Sequence, residues 1–455
     1  MDTRNEFMRA SDAFSWYQEA DPAMRATIVS VAWLDRSPDW ERLVERVEAA
    51  TRLVPRLRQR VAEPPLRIAV PRWETDDDFD LSWHLRRTSA DSHDAVLELA
   101  RIEAMSGFDR ARPLWTFTLV DGLQDGSAAL IMKMHHALTD GVGAVRLAPT
   151  LFDTVPEPGF VPHPDEPGRA NGGALLPAAI VHTAGQLTGL ARDVVTTAGP
   201  AVWRLLRDPV GGVRAAWDTV QSIGSTVAPV TDIRSPVMRG RGLGRHLHVV
   251  SAGLKDLKHA AATTGVTVND AFLAAVTGGM RHYHHKHDAS VDELRVTMPV
   301  SIRTATDALA SNRITLMRFL VPVAEADPAR RMRLIDTRAR SARTARSLGF
   351  TDAIAAGLDL LPTGFVGGML KRVDFLASDV TGVPVTTYLA GAKVTAHAAF
   401  GPTMGCAANL TLMSYAGTCH IGVNLDTAAV PDPPVFIDCL RLGLAEVIAV
   451  GGASP

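Results

Sequence analysis

Two adjacent histidines run into a turn in the segment Met132-Lys133-Met134-His135-His136-Ala137-Leu138-Thr139-Asp140-Gly141. A neutral imidazole, with an ordinary pKa near ~6.5, can take a proton from a hydroxyl at neutral pH. To do that it must be held in one orientation and one tautomer. Asp140, four residues after the second histidine, can brace the turn through an arginine elsewhere, and Gly141 lets the backbone turn tightly where a Cβ would clash. The chain contains its own contrast. His284-His285, inside Arg281-His282-Tyr283-His284-His285-Lys286-His287-Asp288, has no Asp-Gly at the matching offset. That pair falls at a helix end and reads as a solvated face. A metal could also sit there, because His282 and His285, or His284 and His287, share one side of the helix. His397 and His420 are single histidines on strand-like runs and read as core or surface residues. No G-x-S-x-G elbow and no phosphate-binding loop occurs in the chain, so nothing in it points to a serine acyl-enzyme or a nucleotide.

The elements that must position His135 and His136 are readable from hydrophobic period. Residues 114–120 and 128–134 read as strands, and the glycines between them, Gly122 and Gly126, signal a hairpin. A helix is expected after Thr139-Asp140-Gly141. Upstream, 26–33 reads as a strand, 40–57 as a helix ending near Pro55, and 95–104 as a helix. Downstream come helices at 254–262 and 268–282, strands at 294–300 and 314–323, and a basic helix at 328–347. Several strands follow, with a final helix at 433–447. Between these two blocks, 156–173 is rich in Pro and Gly and reads as a linker. Residues 175–220 read as helices with apolar residues at i+3/i+4 spacing and interspersed arginines. That segment is expected either to cross over and pack on its own protein, to dock on a lipid surface, or to bind a partner. The predicted division is therefore an α/β half over 1–155, a linker with crossover helices over 156–245, and a second α/β half over 246–455.

Composition narrows the function. The chain has 455 residues, 46% hydrophobic and 21% charged, which excludes wholesale disorder. Its 47 Lys and Arg against 49 Asp and Glu leave a net charge of -2, without the basic excess that nucleic-acid binding needs. Cys406, Cys419 and Cys439 form no C-x-x-C pair and no disulfide framework. The N-terminus does not read as a signal peptide, and no stretch of 18 residues is free of polar breaks. A cytoplasmic protein that at most lies on a membrane or lipid-droplet surface is the expectation.

Beyond these readings the chain resembles a known family. His135-His136-x-x-x-Asp140-Gly141 is similar to the HHxxxDG signature of CoA-dependent acyltransferases and condensation domains. Arg112-Pro113-Leu114-Trp115 resembles the RPLW of the bacterial wax ester synthase/diacylglycerol acyltransferase family. Trp73 and Phe79-Asp80-Leu81-x-x-His84 resemble that family's N-terminal pattern. Val268-Asn269-Asp270-x-x-Leu273-Ala274 resembles its Asn-Asp helix, and Met298-Pro299-Val300-Ser301-Ile302-Arg303 with Asn312 resembles its P-x-S-x-R…N stretch. Tyr388-Leu389-Ala390-Gly391-Ala392 and Thr411-x-x-Ser414-Tyr415-x-Gly417 resemble its C-terminal signature. The chain departs from the family pattern at Thr116, at Ala310-Ser311, and at Ser378-Asp379-Val380-Thr381-Gly382-Val383-Pro384.

The resemblance implies two chloramphenicol-acetyltransferase-like halves, each a mixed β-sheet with flanking helices, and an active-site tunnel between them. It implies an O-acyltransferase moving a long-chain acyl group from acyl-CoA to diacylglycerol or a long-chain alcohol. His136 would be the general base, His135 its support, and Asp140 would pair with Arg303. Gly141, Asn269 and Asp270 would support the site, the last two as caps of their helix. Pro113, Leu114, Trp115 and Asn312 would lie along the channel. No cofactor and no metal is implied, acyl-CoA being a substrate. Two alternatives stay open: a related transferase with a carrier-protein donor or another acceptor, and a non-catalytic lipid-binding homologue.

Overall fold

A computed structural model describes residues 6–65, 69–139, 141–157, 232–301, 314–343 and 372–452. The first block runs α1 (Ala10–Gln18), β1 (Thr27–Leu34), α2 (Trp40–Leu53), β2 (Gln59–Ala62), β3 (Arg72–Thr75), α3 (Leu81–His84), β4 (Leu85–Ser89), α4 (His93–Met105), β5 (Trp115–Asp121), β6 (Ala128–His135) and α5 (Gly141–Leu151). The second runs β7 (Arg245–Gly253), α6 (Leu254–Thr264), α7 (Val268–Lys286), β8 (Glu293–Ser301), β9 (Ile314–Pro322), α8 (Pro328–Arg343), β10 (Phe375–Val380), β11 (Tyr388–Leu389), β12 (Ala392–Phe400), β13 (Ala408–Tyr415), β14 (Thr418–Asp426) and α9 (Pro433–Val450). The crossover segment at 175–220 lies outside the described residues. No described helix is long and apolar enough to cross a membrane.

Local signals account for the boundaries. Asp39 caps α2 by accepting from Arg42 N at 2.9 Å, and Leu43, Val47 and Ala50 put one apolar stripe into the core. Helix α2 stops at Leu53, where Pro55 forces a short 3-10 turn over Pro55–Arg58. The β5–β6 hairpin closes through Gly122 and Gly126, both at positive φ, which a side chain resists. Strand β6 is buried on both faces. Leu130, Met132 and Met134 face a core shared with α2 and α5, and Ala129 and Ile131 face a second core shared with α4. A strand buried on both faces reads as a continuous apolar run, which is why the sequence shows no alternation there.

Twelve strands form two six-stranded mixed sheets, in the orders β11-β12-β1-β6-β5-β4 and β7-β14-β13-β10-β8-β9, and β2 and β3 pair in a small sheet of their own. In the first, β4 is parallel to β5 and the rest are antiparallel. In the second, β10 is parallel to β8 on one side and β13 on the other, and every other pair is antiparallel. The division expected at 245/246 does not separate the sheets. Strands β11 and β12 leave the second block and join the first sheet, where β12 pairs with β1 from Val29↔Phe400 to Leu34↔Val394. The reason is edge satisfaction: β1 needs a partner on the side away from β6, and β12 supplies it.

Strand β12 is also the joint between the sheets. Asn424 Nδ2 donates to Gly401 O at 2.9 Å. At Gly422 the backbones of β14 and β12 approach so closely that a Cβ would lie 2.0 Å from the Ala399 carbonyl oxygen. Backbone cannot yield as a flexible side chain can, so Gly422→Ala must push the sheets apart. Denaturant unfolding is expected to show a loss of about 1–3 kcal/mol. An unchanged midpoint would mean that this contact does not hold the two sheets together.

Candidate active site

His135 is the last residue of β6 and is fully buried. Its backbone N–H donates to Leu114 O at 3.0 Å, and its Nδ1 accepts from Ala137 N at 3.0 Å. An imidazole nitrogen that accepts carries no proton, so the neutral ring has its proton on Nε2. Nε2 lies 3.3 Å from Glu19 Oε1, an ion-pair distance rather than an aligned hydrogen bond. The edges of Trp16 and Phe108 close on the ring at centroid distances of 6.0 and 5.6 Å. His136, the next residue, is half-buried, and its backbone N–H donates to Ala26 O at 2.8 Å. The strand thus buries His135 completely and leaves His136 half-buried. Gly141 heads α5, so both rings stand at a strand-to-helix turn. Asp140, Arg303 and Asn312 lie outside the described residues.

The polar layer under this turn was not anticipated. Burial pushes the Glu19 carboxyl up, but His135, the Ala26 N–H and Arg25 more than offset it and hold the group below the usual carboxylate range. Lys133, two residues before His135 and on the same strand face, donates to Ser106 Oγ at 2.7 Å and Gly107 O at 3.1 Å, and lies 3.1 Å from Glu103. Its burial lowers the ammonium pKa, against the pull of Glu103 and Glu19. A lone Lys in an apolar strand next to a histidine was the available signal; Glu19 gave none.

Leu114 and Trp115 have no exposed surface and lie in the core, and Pro113 is buried beside them. Trp115 Nε1 donates to Leu57 O at 2.7 Å, and its ring stacks on His84 at 4.6 Å. His84 Nδ1 donates to Trp115 O at 2.7 Å. These residues pack in the core beside β6. Their chemical relevance is indirect: Leu114 O anchors the His135 backbone.

Helix α7 is capped by Thr267, whose Oγ1 accepts from Asp270 N at 3.3 Å while Asp270 Oδ2 accepts from Thr267 N at 3.0 Å, a capping box. Asp270 therefore caps from the third helical position. Asn269 takes no part in the box, and its buried Nδ2 has no hydrogen-bond partner among the described residues. At the end of β10, Asp379 keeps solvent contact, and the protein mass around it pushes its carboxyl up to about 6, against the pull of Arg343 and with a contribution from Asp270.

His282, His284, His287, His397 and His420 take structural places. His284 is buried, not solvated: its Nδ1 donates to Met280 O at 2.7 Å and its Nε2 meets Ser235 Oγ at 2.8 Å. The chain entering β7 folds over that end of α7 and covers it. His282 pairs with Glu446 at 2.6 Å and His287 with Asp432 at 3.2 Å. His397 and His420 sit at the β12–β14 joint. Ser251 Oγ meets His420 Nδ1 at 2.9 Å, and burial pushes His397 down to about 4.

Residues 8–272 match the model of the wax ester synthase/diacylglycerol acyltransferase catalytic domain, and residues 310–447 match that family's C-terminal domain. A Mycobacterium tuberculosis protein with a provisional diacylglycerol O-acyltransferase name is 35% identical over 96% of this chain and 91% of its own length. The wax ester synthase/diacylglycerol acyltransferase of Marinobacter aquaeolei VT8 superimposes with a TM-score of 0.65 at 20% identity, covering 98% of this chain and 100% of that one. The starter condensation domain of rhizomide synthetase, solved as an R148A mutant with C8-CoA, shares the fold with a TM-score of 0.61 at 12% identity, over 99% of this chain and 96% of that one.

Proposed function

Because the chain belongs to the wax ester synthase/diacylglycerol acyltransferase family, and so to the acyltransferases, we propose that it moves a long-chain acyl group from acyl-CoA to diacylglycerol or a long-chain alcohol, with His136 as general base. The observation that carries this is the half-buried His136, placed directly after a fully buried imidazole at a strand-to-helix turn. The His136 imidazole takes the proton of the acceptor hydroxyl as that oxygen bonds to the thioester carbonyl carbon. The carbon–sulfur bond then breaks, and the imidazolium returns the proton to the departing CoA thiolate. Protons balance on one side chain, no acyl-enzyme forms, and the step calls on no cofactor. Asp140 and Arg303 are assigned to brace the turn from the two halves.

A neutral-lipid acceptor partitions into bilayers and droplets, so the reading places the enzyme at such a surface when it turns over. The test is CoA release from a long-chain acyl-CoA with diacylglycerol in vesicles, a long-chain alcohol, or a short polar alcohol. Release is expected with the first or the second and little with the third. Release that no acceptor accelerates would overturn the assignment. Turnover of a carrier-protein thioester in place of acyl-CoA would replace the donor while leaving the base.

A further inference from the structure

We infer that Glu19 is a positioning residue of the acyl transfer: one carboxylate oxygen holds the sealed His135 ring in its Nε2–H tautomer and, through the Ala26 peptide, holds the backbone of His136. The inference rests on the reading of His136 as the base.

The connections converge on a single atom. Glu19 Oε1 accepts from Ala26 N at 3.0 Å and lies 3.3 Å from His135 Nε2. The Ala26 carbonyl on the other side of that residue accepts from His136 N at 2.8 Å. His135 Nδ1 is occupied as an acceptor by Ala137 N, and Ala137 lies in the turn that follows the pair. The first histidine is thus hydrogen-bonded at Nδ1 by the turn, while the Glu19 carboxylate stands 3.3 Å from its Nε2. The second is gripped by its backbone. A donor at the Glu19 position would face the Nε2 proton and favour the other tautomer, whose Nδ1 proton would then oppose the Ala137 N–H. Both grips therefore need an acceptor at residue 19.

Glu19 can remain an acceptor there because its charge is compensated. Arg25 stands beside it, and Lys133 lies within electrostatic range on the His135 face of β6. Trp16 and Phe108 close on His135 and reduce the access of competing water. A misplacement of the reacting imidazole by about 1 Å can cost about 100-fold in rate. The carboxylate's contribution is to hold that placement before substrate arrives.

The test uses the full-length enzyme with Glu19→Ala and Glu19→Gln. Gln can keep an oxygen on Ala26 N and His135, whereas Ala keeps neither contact. For Glu19→Ala, kcat for CoA release is expected to fall about 10-fold to 100-fold with KM within about twofold. For Glu19→Gln it is expected to recover most of that loss. The independent readout is the 15N signal of the His135 ring, identified by its disappearance in His135→Gln. Wild type is expected to be the Nε2–H tautomer, and Glu19→Ala a mixture of tautomers. A wild-type Nδ1–H tautomer, or a Glu19→Ala protein with unchanged tautomer and kcat, would overturn the role. Should Glu19→Ala fail to fold, Glu19→Met replaces it, keeping the bulk and removing the acceptor: a Met variant with the wild-type tautomer and kcat would overturn the role. If His136→Ala keeps full activity, the base assignment falls, while the tautomer measurement still judges Glu19 as the group that orients His135.

Discussion

His136→Ala is expected to lower kcat for CoA release by about 100-fold to 10,000-fold, the range a positioned general base supplies. The protein should fold normally, because His136 is half-buried and its backbone bond to Ala26 O does not depend on the side chain. His135→Ala should behave differently. That ring is fully buried between Trp16 and Phe108, so its removal opens a cavity and strips an acceptor from Ala137 N–H. It should lose both activity and stability. Measuring kcat and the denaturation midpoint for both variants separates the two roles. Equal, small rate losses with unchanged stability would mean that neither ring is the base.

Acid is expected to unfold the protein through buried neutral histidines. Burial pushes both His84 and His397 down to about 4 from an ordinary 6.5; at His84 the Trp115 carbonyl opposes the shift, and at His397 the nearby His420 adds to it. For a group whose folded pKa lies below its unfolded pKa, the unfolded chain binds more protons between the two values. Stability therefore falls as pH drops through that window, here from 6.5 toward 4. Each such histidine withdraws about 3 kcal/mol by the bottom of the window, a large share of a typical domain's stability. Denaturant unfolding at pH 7 and near pH 4.5 should show this drop. His397→Gln, which cannot titrate, should lessen it by about 2–3 kcal/mol relative to wild type. An acid slope identical in the variant would assign the loss to other groups. Glu19 and Glu446, whose pKa values are lowered, add their own loss only at more acid pH.

Much of this protein is local, and what is local was legible. The helices α2, α4, α6, α7 and α9, the strands β1, β5, β6, β8 and β9, and the hairpin glycines lie where period, caps and turn residues put them. The His135-His136 pair at the mouth of a turn followed from an apolar run meeting Thr-Asp-Gly. These features depend on backbone preferences and on neighbours within about four residues, which a sequence displays directly.

Other features depend on which distant segments come together. That β12 would leave its own half to complete the first sheet was not legible, because an apolar strand carries no mark of the edge it will join. That His284 would be covered by the chain at Ser235 was decided by what packs on top of it. Glu19 stands more than a hundred residues before the histidine it holds, and its neighbours in sequence say nothing of chemistry. The pair of imidazoles and the turn that presents them can be read from the chain's order alone. That His135 is fully buried and held while His136 is half-buried follows from packing, because burial and long-range hydrogen bonds are properties of the packed chain and not of any segment of it.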